Sequence, residues 1–367
     1  MALDSDPVEI ESLEQFDRYV SQHPGTLSGC RIQAVDLRER GWELRSSDVE
    51  DTAFLGCELT EFVTADLRQR GALVFPKTPH LPFDPYRVRL YSPDELYEGI
   101  DTNPYDQTPD ALAYRWDRAP LAREDVLSLA LRGLHDDSIE DALDEWADGR
   151  KIVGVMGGHA LDRGTDGYTQ AALLGRSLGR SGFTVATGGG PGAMEAANLG
   201  AYLAPYPDEA LTQSLAILAG VPSFRPDPTP WIRTAFAVRK TYPEVKAGES
   251  LSVPTWFYGH EPPNAFASTV AKFFSNALRE DILLAKANTA LVILPGAAGT
   301  VQEIFQAATP AYYGTASRRM ILVGVSYWTR TLPAWPLLRN LAEGKPMAKT
   351  MHLVDTVAEA GILLSRA

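Results

Sequence analysis

From Lys151 to the end of the chain, short apolar runs alternate with segments of helical periodicity, and this alternation constrains the fold more than any other feature. KIVGVM precedes a helical pattern at 168–180, FTVAT precedes one at 191–203, and ALVIL precedes one at 300–309. LSVPTWFY, RMILVGV and MHLV indicate further strands, and residues 270–286 indicate a long helix. Strands alternating with helices form a parallel sheet covered on both faces. The sequence therefore predicts an α/β fold: a Rossmann-like parallel sheet with helices on both faces.

Glycine-rich turns follow three of the predicted strands, at residues 157–158, 188–192 and 296–299. In open parallel sheets, ligands bind at the carboxyl ends of the strands, where such turns lie. Glycines there let the backbone approach a ligand closely. We therefore expect the three turns to form one ligand crevice.

The second turn reads GGGPGAME and leads into a helix. Backbone N–H groups and the positive end of the helix dipole then suit a phosphate or a ribose. The candidate binding residues are Gly188, Gly189, Gly190, Gly192 and Met194. A strand-to-helix turn without a ligand is the simpler alternative. The glycines also fit a loose dinucleotide pattern, GxGxxA, but a whole strand–helix unit precedes the motif, which weakens that interpretation.

The third turn, LPGAAGTVQE, leaves a strand through Pro295 and is predicted to enter a helix at Thr300. Gly296 and Gly299 permit unusual backbone angles on either side of the turn. Thr300 is expected either to cap the helix or to bond a phosphate oxygen. Glu303 lies at capping-box spacing from Thr300, so its carboxylate either returns to the Thr300 backbone or points into the crevice as a general acid or base.

Side chains near the first turn and near the LSVPTWFY strand are expected at the rim of the crevice. Gly157 and Gly158 end the first strand, and His159 either faces the ligand or lies in solvent. Tyr258 and the following His260 and Glu261 come after a predicted strand, which places them close to the same edge of the sheet.

Together, GGGPGAMEAANLGA at 188–201 and PGAAGTVQE at 295–303 resemble the LOG family, also called lysine-decarboxylase-like, whose hallmarks are GGGxxGxM and PGGxGTxxE. The resemblance covers residues 151–367 and implies a Rossmann-like homodimer. It also implies an enzyme that hydrolyses a nucleoside 5'-monophosphate to free base and ribose 5-phosphate. By the same resemblance, the glycine turns and Thr300 hold the 5'-phosphate. Glu303 matches the glutamate that acts at the ribose, where a carboxylate stabilises an oxocarbenium-like state.

Two positions depart from the family pattern. Ala297 stands where the family has a second glycine, which costs about 1 kcal/mol if that position needs a positive φ. The family arginine lies 15 residues before the motif proline, a spacing that falls on Glu280, with Arg279 one residue earlier. One residue turns a helical side chain by about 100°. Either Arg279 still serves, or Glu280 occupies the site and the chemistry differs, or the two form a surface ion pair.

The composition argues against several other classes of protein. A formal net charge of -13 repels a phosphate backbone, so we expect no nucleic-acid partner. Cys30 and Cys57 are too few for a disulfide framework or a zinc cluster and suit a reducing cytoplasm. The six histidines show no HExxH-like spacing, and no apolar run reaches about 18 residues. We expect a cytoplasmic protein without metal, cofactor or membrane span.

The length of 367 residues suggests more than one domain. We expect an accessory N-terminal domain at 1–110, a helical connector at 111–149 and the nucleotide-binding domain at 150–367. The connector is expected because two helical patterns precede the first strand of the alternating region.

A five-residue rhythm runs through part of the N-terminal region, where Leu44, Val49, Phe54 and Leu59 recur at equal spacing. This pattern resembles pentapeptide repeats, which stack as short β-helical turns. Such units need stacked neighbours to bury a core. Plain short strands and loops are the alternative.

The leading hypothesis is a metal-independent nucleotide phosphoribohydrolase that works as a homodimer. The alternative is a non-catalytic carrier that binds a nucleotide or the molybdenum cofactor, because molybdenum-cofactor carrier proteins share a similar glycine-loop architecture. The departures at Ala297 and Arg279 fit that alternative. A dinucleotide-dependent enzyme ranks behind both.

Overall fold

The computed structural model describes residues 7–258, 261–315 and 318–365, so the predicted rim residue His260 lies outside the described residues. These residues form two compact units. One comprises the chain up to Arg89 together with Val126–Ala142, and the other comprises Leu90–Asp125 together with the chain from Leu143 onward. The three-part division at residues 110 and 149 stays a prediction.

A four-stranded parallel sheet in the order β1–β2–β3–β4 organises the first unit. The strands and the helices between them are β1 Val8–Ile10, α1 Leu13–Gln22, β2 Cys30–Gln33, α2 Gly41–Ser46, β3 Ala53–Leu55, α3 Glu61–Gln69 and β4 Leu73–Phe75. Apolar side chains from strands and helices pack into one core. Its members include Phe16, Ile32, Phe54 and Leu67, none of which is exposed by more than 1%.

The pentapeptide interpretation of this region is not confirmed. Helix α2 begins the stretch that carries the five-residue rhythm, strand β3 lies in its middle, and α3 follows directly after it. Ile32 on β2 pairs with Phe54 on β3. Neighbouring strands of this sheet are therefore separated in the chain by a whole helix and its loops, not by five residues. Leu44 and Val49 are buried because a helix and a loop turn them inward, and the equal spacing follows from the core that they share.

A seven-stranded sheet, in which every pairing is parallel, forms the centre of the second unit, in the order β11–β10–β9–β5–β6–β7–β8. Its strands are β5 Ile152–Met156, β6 Thr184–Thr187, β7 Ser250–Ser252, β8 Thr269–Val270, β9 Ala290–Ile293, β10 Arg319–Val323 and β11 Met351–Val354. Nearly every strand residue is buried, as expected for a parallel sheet covered by helices. The predicted Rossmann-like α/β fold is confirmed.

The remaining helices complete the described elements. They are α4 Pro93–Leu96, α5 Pro109–Arg118, α6 Pro120–Glu124, α7 Val126–Ala147, α8 Asp166–Arg180, α9 Ala193–Tyr202, α10 Asp208–Ala219, α11 Pro228–Thr241, α12 Asn276–Lys286, α13 Ala298–Tyr313, α14 Ala334–Ala342 and α15 Val357–Ser365. Short 3₁₀ segments lie at Tyr105–Gln107, Glu244–Lys246 and Pro346–Lys349, and one π-helical turn lies at Tyr327–Thr331. No helix in the described ranges is both long and apolar enough to cross a membrane.

The predicted helix at 270–286 was too long at its start. Val270 belongs to strand β8, and Phe273 forms a parallel bridge with Thr255. The helix begins only at Asn276, where the Ser275 side chain accepts a hydrogen bond from the Leu278 N–H as its cap. Apolar residues on both sides of Lys272 hide this boundary in the sequence, and the Ser275 cap defines it in the structure.

The strand order reverses at β5. From β5 the chain moves through β6 and β7 to one edge of the sheet, whereas β9 returns to the opposite side of β5. Ligands bind at such a reversal in open parallel sheets. The three glycine-rich turns follow β5, β6 and β9, which are adjacent strands, so all three turns meet at this point.

Candidate functional site

The three glycine-rich turns contact each other directly. Gly158 N donates a hydrogen bond to Pro295 O at 3.1 Å, and Ala193 N donates to Gly158 O at 3.1 Å. A Cβ at Gly157 would lie 2.8 Å from the Ala193 Cβ and 3.1 Å from the Leu294 Cβ. The first turn is therefore wedged between the other two, and the crevice floor is continuous backbone.

The turn between β6 and α9 needs glycine for two reasons. Gly189 and Gly192 have φ angles of 77° and 74°, which side-chain-bearing residues rarely adopt. A Cβ on Gly192 would also lie 2.5 Å from Gly158 O. Met194 fills the space below Gly188 and Gly190, with its Sδ and Cε at 3.0 and 2.9 Å from where their Cβ atoms would be. Any role of Met194 in binding is thus to hold the loop in shape.

A buried network of amides and hydroxyls fastens the same loop, and the sequence patterns did not reveal it. Gly189 N donates to Thr187 Oγ1 at 3.0 Å, while Asn264 donates to Gly189 O from its backbone at 2.7 Å and from its side chain at 3.1 Å. Asn198 Oδ1 accepts from both Thr187 and Asn264. Within the described chain, Gly190 N and Gly192 N donate to no protein acceptor, so both remain available to a ligand.

The turn between β9 and α13 presents a second set of backbone donors. Helix α13 begins at Ala298 with Ala297 as its N-cap, and no side chain caps it. The N–H groups of the first turn, residues 298–300, have no intrahelical acceptor. Together with the helix dipole, these donors are of the kind that suits an anion. A Cβ on Gly299 would meet nothing within 4 Å, so this glycine borders open space.

Thr300 and Glu303 do not form the capping box that was one of the predictions. Thr300 lies inside the first turn instead of capping it, and Glu303 lies one turn further on. The Thr300 side chain packs against Gly296, whose Cβ would lie 2.1 Å from Thr300 Oγ1. Residues three apart share one face of a helix, so the Glu303 carboxyl lies on the same face as the Thr300 hydroxyl.

Ala297 carries no backbone strain. Its φ is -101°, on the side of the map that L-residues occupy, so the position needs no positive φ and the conditional cost of the alanine does not arise. We predict that Ala297→Gly lowers the free energy of unfolding by about 0.5–1 kcal/mol, because glycine adds freedom to the unfolded chain and relieves nothing in the folded one. Urea unfolding of both proteins measures this difference, and a stabilised variant would contradict it.

Arg279 and Glu280 are both buried, with 7% and 6% exposure, so they are not a surface ion pair. Arg279 Nη2 donates to Asn276 Oδ1 at 2.7 Å, and Asn276 Nδ2 donates to Glu280 Oε1 at 2.9 Å. Arg279 Nη2 lies 3.6 Å from the same Glu280 oxygen, and Gln302 donates to the other one. Asn276 and Gln302 thus join the two charged groups to the start of α12 and the first turns of α13.

The Arg279 guanidinium reaches the glycine loop. Its Nη1 lies 3.5 Å from where a Cβ on Gly188 would be. Its Nε is buried and donates to no described protein atom, which leaves an unsatisfied cationic donor beside the crevice. The one-residue shift relative to the family spacing therefore does not remove the arginine from this site.

Glu303 has the most unusual carboxyl of the site. Its side chain is partly buried, and burial raises its pKa to about 7. The Arg279 charge opposes this rise, whereas the Glu280 charge adds to it. A carboxyl that exchanges its proton near neutral pH is suited to general acid–base chemistry.

The rim of the crevice holds the remaining predicted side chains. Tyr258 is 46% exposed, so the core does not hold it firmly. Its ring centre lies 5.9 Å from the Arg279 guanidinium carbon, and its hydroxyl accepts a hydrogen bond from Asn276 Nδ2 at 3.0 Å. His159 is largely exposed, and its Nε2 lies 3.7 Å from Glu261 Oε1. The other Glu261 oxygen lies 3.9 Å from where a Cβ on Gly190 would be.

The described residues contain no cluster of acidic, histidine or cysteine side chains placed to hold a metal ion.

A parallel α/β unit with glycine turns at its strand reversal and a carboxyl–arginine cluster beside them defines a Rossmann-like domain. Residues 241–363 match the family described as "Possible lysine decarboxylase", so the resemblance to the LOG family is confirmed over this segment. No curated protein matches the chain.

Solved structures with a similar fold include two molybdenum-cofactor proteins. The molybdenum cofactor carrier protein from Chlamydomonas reinhardtii is 18% identical, and the match covers 59% of this chain and 97% of that one, with a TM-score of 0.36. The molybdenum cofactor binding protein from the phototrophic bacterium Rippkaea orientalis is 16% identical, and the match covers 60% of this chain and 98% of that one, also with a TM-score of 0.36.

Proposed function

We propose that the second unit hydrolyses the N-glycosidic bond of a nucleoside 5'-monophosphate, with release of the free base and ribose 5-phosphate. One observation carries this proposal: a carboxyl with a pKa of about 7, Glu303, lies one helical turn from an uncapped helix start that suits a phosphate. The match to the lysine-decarboxylase-like (LOG) family over residues 241–363 supports this proposal, because the resemblance to that family implies this hydrolysis.

The proposed binding mode follows from the two sets of backbone donors. The 5'-phosphate binds the N–H groups at the start of α13 and those of Gly190 and Gly192, with Thr300 Oγ1 as an additional donor. The Arg279 guanidinium, with its unsatisfied Nε, contributes positive charge at the same edge. The ribose then lies over the face of α13 that carries Glu303.

The proposed reaction uses Glu303 to move one proton. Its carboxylate stabilises the positive charge that develops at C1' as the bond to the base breaks. The bonding electrons leave with the base, and a water oxygen bonds to C1'. Glu303 accepts a proton from that water and passes it to the departing base, so the carboxylate is ionised again at the end of the reaction. No other acidic or basic side chain lies on α13, so Glu303 is the group of that helix able to do this.

Incubation of the full chain with a panel of nucleoside 5'-monophosphates tests the reaction. We expect release of free base and ribose 5-phosphate in equal amounts from at least one member of the panel, measured by chromatography. The matching nucleosides without phosphate should react far more slowly, because the helix start then has no ligand. Binding of nucleotides without release of base from any of them would instead favour the non-catalytic carrier.

The same carboxyl predicts a pH-dependent effect on stability that needs no substrate. The pKa of Glu303 is about 7 in the folded state, above its usual value of 4.5, so ionisation of this carboxyl destabilises the folded state. This destabilisation is absent below about pH 4.5, grows as the pH rises and is complete above about pH 7. Glu303→Gln removes this cost. We therefore expect the variant to gain thermal stability relative to the wild type at about pH 8 and to gain little at about pH 5. An equal gain at both values would show that the carboxyl is not perturbed.

A further inference from the structure

By its spacing to the motif proline, Glu280 falls on the position of the family arginine, but Arg279 lies beside the glycine loop and Glu280 lies next to it. It is 6% exposed, yet both of its oxygens are satisfied: Oε1 accepts from Asn276 and Oε2 accepts from Gln302. A buried carboxylate with such partners is fixed in position and has little capacity left to bind a ligand. Its contribution must therefore pass through its neighbours.

Two of those neighbours connect Glu280 to the proposed catalytic site. Arg279 is linked to Glu280 through Asn276 and by the 3.6 Å approach between their charged groups. Gln302, which donates to Glu280, directly precedes Glu303 on α13. Within the described chain, the charged groups that act on Glu303 are Arg279 and Glu280, both from α12. Tyr258 approaches Glu280 with its hydroxyl at 3.5 Å.

We propose that Glu280 is a positioning residue: through Asn276 and the 3.6 Å approach of its own carboxylate, it holds the Arg279 guanidinium beside the glycine loop and offsets part of its positive charge. This inference rests on the proposed role of Glu303. Burial raises the pKa of Glu303, the Arg279 charge lowers it, and the Glu280 charge adds to the rise, so loss of the Glu280 charge leaves the Arg279 charge unopposed at Glu303.

The matched variants are Glu280→Gln, Glu280→Asp and Asp281→Asn. Glu280→Gln removes the charge and keeps the shape, whereas Glu280→Asp keeps the charge. Asp281→Asn removes an equal charge from the next position of α12, where the exposed carboxylate accepts from Gln306 and does not contact Arg279. The titration of Glu303 is followed through its carboxyl carbon by ¹³C NMR of the full chain without nucleotide.

We expect the Glu303 midpoint to fall by roughly one pH unit in Glu280→Gln and to stay close to the wild-type value in Glu280→Asp and Asp281→Asn. A Glu303 midpoint that is unchanged in Glu280→Gln, or that falls equally in Asp281→Asn, would overturn the inference. Should Glu280→Gln not fold, the wild type decides. Its Glu280 carboxyl carbon should show a step at the Glu303 midpoint, and a flat response there would overturn the inference.

Turnover separates this inference from the proposed function. In Glu280→Gln, the acidic limb of the pH–rate profile should move to lower pH together with the Glu303 midpoint. If no nucleotide is hydrolysed but the Glu303 midpoint still falls, the proposed reaction fails and the role of Glu280 stands. If base is released but the midpoint does not move, the reaction stands and the role of Glu280 fails.

Discussion

Replacement of Glu303 by glutamine should lower the release of free base from the best nucleotide substrate by roughly 10²–10⁴-fold, the usual contribution of a general acid–base group. Glutamine keeps the size of the side chain but can neither accept the proton of the attacking water nor stabilise a positive C1'. Because the phosphate is proposed to bind backbone N–H groups three residues earlier, nucleotide affinity should change little. The effect should therefore appear in kcat and leave KM nearly unchanged.

The control for this prediction is Gln302→Ala, one residue away on the exposed side of α13. It removes the donor to Glu280 but leaves the Glu303 carboxyl in place, so turnover should fall much less than in Glu303→Gln. Full activity in Glu303→Gln would remove this residue from the reaction. A rise in KM with unchanged kcat would instead make Glu303 a group that binds the ribose and takes no part in the chemistry.

The sheet and its glycine turns were predictable from the sequence because their signals are local. A fully buried parallel strand is an uninterrupted apolar run, and a turn that must approach another backbone is rich in glycine. The adjacency of the turns after β5, β6 and β9 followed from the rule for parallel sheets. Gly157, Gly192 and Gly296 are glycines because neighbouring atoms leave no room for a Cβ.

The contacts inside the site depend on tertiary packing, which the local pattern does not contain. Helix α13 was expected to begin at Thr300 because threonine is a good cap, but it begins two residues earlier, and the threonine packs against Gly296 instead. Asn264 lies in a segment without periodicity, and only the folded chain brings its amide to Gly189. Glu280 is buried because of the way α12 is rotated about its axis. The packing of the helix's apolar side chains against the core fixes that rotation.

Gly192→Ala should be the most damaging single-methyl change in the crevice. It places a Cβ 2.5 Å from Gly158 O at a residue with a φ of 74°, so both strain and overlap oppose the folded state. Together they should lower the free energy of unfolding by roughly 2–4 kcal/mol. The first two turns would also separate, because Gly158 O accepts from Ala193 N at this point, and nucleotide binding should be lost with them.

Gly299→Ala is the matched comparison, because the same methyl group added there meets no protein atom within 4 Å. Alanine also favours the first turn of a helix over glycine, so thermal stability should stay the same or rise slightly. If the phosphate binds the start of α13, however, this methyl group enters the space that the phosphate needs, and nucleotide affinity should fall by roughly tenfold, about 1.4 kcal/mol.

Thermal unfolding and nucleotide titration of both variants give four measurements. A Gly299→Ala protein that is stable and binds as tightly as the wild type would place the phosphate elsewhere, whereas loss of stability in Gly299→Ala would show that the space beside Gly299 is not open.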